Sequence, residues 1–145
     1  MNHERIDDTT IAQYIVDTFP GIETIDNMGY KFFFYGSDRM LPLATIATAD
    51  NPGDNVSNLN RPGIFRLNIG VSRETFQSLF GTGKVDVSAY DFTVLDQIMP
   101  HPDYSAQSYI CVLNPSATTY ENVKGLLAGA YELAVRRHAR RQPER

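Results

Sequence analysis

Between Pro20 and Ser72 the chain offers four extended runs in succession and no helical one, and this order constrains the fold more than any other feature. Turn residues separate the runs: Asn27 to Gly29, then Gly36 to Met40, then a long stretch from Asp50 to Gly63. Strands joined by short turns pair antiparallel, because a parallel pair needs a crossover of about a dozen residues or more. The expected strands are Ile22 to Asp26, "YKFFFY", "LPLATIATA" and "IFRLNIGV". "YKFFFY" is aromatic on both faces and reads as a central strand buried on two sides. The 50–63 stretch is rich in Asn, Asp, Pro and Gly, each of which favours turns, so it reads as a long loop of a kind often functional.

Helical signals flank this block. "DDTTIAQYIVDTF" places Ile11, Tyr14, Ile15 and Phe19 on one face, with Asp8 or Thr9 as cap and Thr10 with Gln13 at capping-box spacing. Ser72 caps "RETFQSLF", which Gly81 ends, and residues 82–90 read as a loop. "DFTVLDQIM" predicts a short helix with Phe92, Leu95 and Ile98 or Met99 inward, stopped by "PHPDY". "SYICVLN" is a fifth strand. Thr118 and Glu121 then have capping-box spacing before a long helix whose face carries Val123, Leu126, Leu127, Ala130 and Ala134. The order α-β-β-β-β-α-α-β-α implies an α+β fold. Its single, mostly antiparallel sheet has about five strands, with helices packed on one face. Residues 1–141 are expected to form one domain and 142–145 a C-terminal tail.

Composition narrows the class. At 42% hydrophobic and 21% charged, the 145 residues can bury a core. One cysteine, Cys111, excludes an internal disulfide and a thiolate-rich zinc site, which fits a cytoplasmic location. No run approaches the roughly 20 apolar residues needed to span a bilayer. The polar start "MNHERIDDTT" is not a signal peptide. The net charge of −4 divides into +4 for residues 136–145 and −8 for residues 1–135. Nucleic acid is therefore not the expected partner, since a binder needs a basic footprint on its folded face.

Three segments carry a resemblance: "RPGIFRLNIGVSRETFQSLFG", "DFTVLDQIMPHPDY" and "CVLNPSATTYENVKGLLAGAYELAVRRHARR". They resemble a family of actinobacterial domains of unknown function, number 6194, over about Thr9 to Arg141. That family implies no activity. The closing pattern, a strand into "LNPS" and then a helix with "AYELA", is similar to the MmcQ/YjbR-type small α+β domains, which implies a double-winged shape suited to DNA.

Candidate site residues follow from the strand alternation. In "IFRLNIGV", Phe65, Leu67 and Ile69 point one way while Arg66 and Asn68 point the other. An Arg there is compatible with a wet sheet face, with an acidic neighbour across strands, or with a cleft under the 50–63 loop. In the cleft its fork of donors would bind a carboxylate or phosphate. Asn68 and Arg61 would orient the same ligand. His101, held between two prolines, is the candidate acid–base residue, and Tyr104 stands beside it. "DNPGDN" offers oxygen ligands, but Arg61 stands where a calcium loop needs its twelfth-position Glu, so turn chemistry is the better reading and no metal is expected. "GTGK" lacks the spacing and hydroxyl residue of a P-loop. No cofactor is called for.

The leading expectation is a bacterial domain that binds a small anionic or polar metabolite against the sheet. If catalytic, it would carry out cofactor-independent proton transfer of isomerase, cyclase or lyase type. The competing expectation is a non-catalytic protein- or nucleic-acid-interaction module using the Arg136–Arg141 helix end and exposed sheet edges. Monomer and dimer are both open.

Overall fold

A computed structural model describes residues 5–37 and 41–141. The 142–145 tail and His3 lie outside the described residues, as does part of the turn expected at Gly36 to Met40. The described residues fold into three α-helices and one open antiparallel sheet of six strands. Helix α1 (Asp8–Thr18) leads into strands β1 (Ile22–Asn27), β2 (Tyr30–Tyr35), β3 (Ala44–Ala47) and β4 (Arg66–Gly70). Helix α2 (Arg73–Phe80) is followed by β5 (Met99–Pro100), β6 (Tyr109–Leu113) and helix α3 (Ala117–Arg141). The strand order is β1-β2-β3-β4-β6-β5. The first four strands form the expected meander, and β6 adds beside β4 by returning across the molecule.

One expected element is absent. Residues 91–98 form turns, not a helix, and Met99–Pro100 is a sixth strand. Asp91 accepts hydrogen bonds from the backbone and hydroxyl of Thr93, closing a local turn. Asp96 adopts φ 63°, a left-handed conformation that no helix interior accommodates. Its N–H donates to the Leu113 carbonyl at 2.7 Å, and its carboxylate accepts from the Ser116 N–H at 2.7 Å. Phe92 and Leu95 of this segment are apolar for another reason: they pack into a second core.

Two caps also move. Asp7, not Asp8 or Thr9, caps α1 by accepting from the Thr10 N–H at 2.9 Å. Ser116, not Thr118, accepts from the Thr119 N–H at the start of α3. Ser72 caps α2 through the Thr75 N–H at 3.0 Å.

All three helices pack on one sheet face. Ile11 and Ile15 of α1, Phe76 of α2, and Val123, Leu127 and Ala130 of α3 share a core with Phe33, Ile46, Phe65, Leu67, Ile69 and Val112. The opposite face is not wet. Loops cover part of it, and Leu59, Phe92 and Met99 pack there with Ala47, Cys111 and Leu113. Antiparallel register aligns that face into rows. One row runs Phe32, Thr45, Asn68, Cys111, Met99, and the next runs Tyr30, Ala47, Arg66, Leu113.

Candidate functional site

The site is built on the loop-covered face, where β3 and β4 place Thr45, Arg66 and Asn68 side by side. Arg66 is fully buried under the 50–63 loop. Its charge is met by a carboxylate on that loop: Nη1 donates to Asp54 Oδ1 at 3.1 Å, and Nη2 donates to Asp54 Oδ2. Nη1 also donates to the buried Ser57 hydroxyl at 3.0 Å, and Nε donates to Asn68 Oδ1 at 3.0 Å. Tyr30 donates its phenol hydrogen to the same Asp54 oxygen. Burial opposes the Asp54 charge, but the hydrogen bonds from Arg66 and Tyr30 outweigh it and hold the carboxyl below its ordinary value. Burial, together with the Asp54 hydrogen bond and charge, pushes the Tyr30 phenol up to about 12.

The chain of bonds continues outward. Asn68 Nδ2 donates to Thr45 Oγ1 at 2.8 Å. Above Thr45 and Asn68 lies a hollow of about 600 Å³, walled by Tyr30, Phe32, Leu41, Pro42, the Asn51–Asp54 turn, His101, Asp103, Tyr104, Gln107 and Tyr109. Gly70, the register partner of Tyr109, makes room for one wall. A Cβ at Gly70 would stand 2.9 Å from the Tyr109 ring, whose hydroxyl donates to the Pro42 carbonyl at 2.6 Å.

His101 is 4% exposed and lines this hollow. Its Nδ1 accepts from the backbone N–H groups of Asp103 (3.0 Å) and Tyr104 (3.1 Å). An Nδ1 that accepts carries no proton, so the neutral ring carries its hydrogen on Nε2. Burial, aided by the Arg66 charge and opposed by that of Asp54, pushes His101 down to about 4. At neutral pH the ring is an uncharged N–H donor. It is poorly suited to accept a proton.

Residues 6–143 match the model of a family of unknown function (DUF6194). The chain belongs to that family. No curated protein and no solved structure matches this DUF6194 chain.

Of the residues singled out in the sequence, His101, Tyr104 and Asn68 share the hollow, and Arg66 lies beneath its floor. Tyr104 stands at the mouth, 55% exposed, with its ring 5.1 Å from the His101 ring. Arg61 lies elsewhere. It staples the loop by donating to the carbonyls of Asn58 (2.8 Å), Ser57 (3.0 Å) and Thr93 (3.2 Å). The "DNPGDN" cluster serves turns and the ion pair: Asp50 accepts from the Leu59 N–H at 2.8 Å, and Asn51 from the Gly53 N–H at 3.0 Å. Among the described residues no group of three or more His, Cys, Asp or Glu side chains could hold a metal ion, and no helix is long and apolar enough to cross a membrane. Cys111 is buried, and that burial pushes its thiol up to about 12, so it is an unreactive packing residue.

Sequence reasoning missed Tyr30, Thr45, Asp54 and Tyr109. Thr45 carried a usable signal, since it alternates with the apolar Ala44 and Ile46 in "LATIA". A second hollow of about 620 Å³ lies between α1 and the β1–β2 hairpin, but its Lys31 and Asp26 are an exposed, mutually satisfied pair at 2.7 Å.

Proposed function

We propose that the protein binds a small polar metabolite in the hollow above Thr45 and Asn68. One observation carries this reading: a buried His101, locked in one tautomer, lines a cavity of about 600 Å³, and its Nε2–H has no partner among the described residues. Small-molecule sites typically enclose about 300–1,000 Å³, with mostly apolar walls and a few placed polar groups. Phe32, Leu41, Pro42 and the tyrosines supply such walls, and Thr45, Asn68 and His101 supply the polar groups.

In this reading Arg66 is not the ligand's clamp. Its charge is neutralised by Asp54, so it acts from below, holding the floor and the loop in one arrangement. The ligand is accordingly polar rather than strongly anionic. His101 serves as a hydrogen-bond donor, and acid–base chemistry through it is not part of the proposal.

A thermal-shift screen of small metabolites on the parent and on Tyr104→Ala tests the reading. A ligand at a hundredfold excess over its dissociation constant stabilises by about 2.7 kcal/mol, a rise of roughly 5–10 °C for a chain of this size. The mouth residue is exposed, so its truncation should leave the free protein's melting temperature nearly unchanged while weakening the response. A screen in which no compound stabilises the parent, or in which every hit acts equally on both proteins, would sink the proposal.

A further inference from the structure

The hydrogen bonds under the hollow have a direction, and that direction specifies what the ligand must present. Arginine has donors only, so its Nε–H fixes the Asn68 amide with Oδ1 toward Arg66 and Nδ2 toward Thr45. Thr45 Oγ1 accepts from that amide, which leaves its own hydroxyl hydrogen to donate, and it donates to no acceptor among the described residues. On the other side of the hollow the two backbone donors on His101 Nδ1 leave the ring's hydrogen on Nε2. Each of these two buried groups lining the cavity, one on β3 and one after β5, thus has a hydrogen left to donate, and Thr45 Oγ1 keeps one further lone pair. Neither can reverse without breaking a buried hydrogen bond, a costly event for groups 8% and 4% exposed.

We infer that the ligand carries a neutral carbonyl oxygen, of an amide, lactam or ketone, received by Thr45 Oγ1–H and His101 Nε2–H. The inference rests on the binding role proposed above and adds the ligand's chemical class. A carbonyl oxygen has two lone pairs and accepts from two donors at once. A carboxylate would also accept, but the cavity wall carries the carboxylates of Asp54 and Asp103 and no Lys or Arg among its described residues. An ammonium group has only donors: it would be drawn to those carboxylates, but it offers the Thr45 and His101 hydrogens no acceptor. Arg66 is therefore a positioning residue: through Asn68 it sets which way Thr45 points. The aromatic side chains of Phe32, Tyr104 and Tyr109 would cover the flat, apolar remainder of such a ligand.

Three probes of one shape test this: benzamide, benzoate and benzylammonium, titrated at millimolar concentration while the backbone amide signals of Thr45, Asn68 and His101 are followed by NMR. Benzamide should shift these signals and bind roughly tenfold more tightly than either ion, the worth of about one or two well-placed hydrogen bonds. Thr45→Val, which keeps the shape and removes the donor, should weaken benzamide severalfold, and Thr45→Ser should restore it. A loss caused only by loosened packing would not be rescued in that way. Because His101 stays neutral, benzamide affinity should be flat from pH 8 to about 5.5. Benzoate or benzylammonium binding as tightly as benzamide, or Thr45→Val binding like the parent, overturns the carbonyl assignment while leaving a binding pocket. Three probes that all leave the floor signals unmoved overturn the pocket itself.

Discussion

Arg66 is a fully buried guanidinium at the start of β4, and its partner Asp54 has a side chain only 12% exposed. Removing two charges from water is costly, and their attraction repays that cost only with good geometry and full hydrogen bonding. The geometry is good and the bonding nearly complete: the contact is two-pronged, Ser57 and Asn68 take two more of the five guanidinium N–H groups, and Tyr30 donates to Asp54. Breaking the pair from either side should therefore be worse than removing it. Asp54→Asn or Arg66→Met alone is expected to cost about 3–5 kcal/mol, because each leaves a charge without its counterion. The double variant Arg66→Met with Asp54→Leu should be more stable than either single one. Urea unfolding of the four proteins measures this coupling. Strict additivity of the two single losses would show that the two charges do not act as a pair.

Among the elements, the β1–β2 hairpin departs most from its preferred chemistry. Its two-residue turn places Met28 at φ 54° and Gly29 at φ 83°, so both central residues are left-handed. Glycine is at ease there, whereas methionine, 78% exposed, bears the strain with no packing in return. Asn followed by Gly is the favoured pair for such a turn. Met28→Asn should raise stability by about 0.5–1 kcal/mol, or roughly 1–4 °C in melting temperature. An unchanged or lower melting temperature would mean that the turn is not strained as described. The position of this turn was legible in "NMGY", because glycine punctuates two alternating runs. The facing of β4 was legible for a similar reason: period-two alternation separates Phe65, Leu67 and Ile69 from Arg66 and Asn68. What alternation cannot carry is the closure of a loop. The Asp50–Gly63 loop holds Asp50, Asn51, Asp54 and Asn55, and which of them reaches Arg66 depends on turns tens of atoms away. The false helix at 91–99 has the same root. Phe92, Leu95 and Met99 do face a core, but they face loops on the far side of the sheet, and Asp91 and Asp96 bend the chain locally.

For the whole molecule, the buried neutral His101 makes stability a function of pH at a window set by its own titration. Its folded value is about 4 against an ordinary 6.5. Between those values the unfolded chain binds a proton that the folded chain does not, so stability rises with pH there. The contribution is fully present above about 6.5, is lost as pH falls toward 4, and changes no further below that. The gap corresponds to about 3 kcal/mol, a sizeable share of the roughly 5–15 kcal/mol that holds a domain together. A second loss should follow at lower pH, where the carboxylates held down in the fold, Asp54 with Arg66 and Asp96 with its Ser116 partner, take up protons. The two steps can be separated with His101→Asn. Asparagine has no titration, and its side-chain oxygen can accept from the N–H groups two and three residues on, as His101 Nδ1 does. Unfolding free energies measured from pH 8 to 3 should fall in two stages for the parent and only below about 4 for the variant. Parallel curves would assign the first proton to another group and would take with them the neutral imidazole on which the ligand assignment depends.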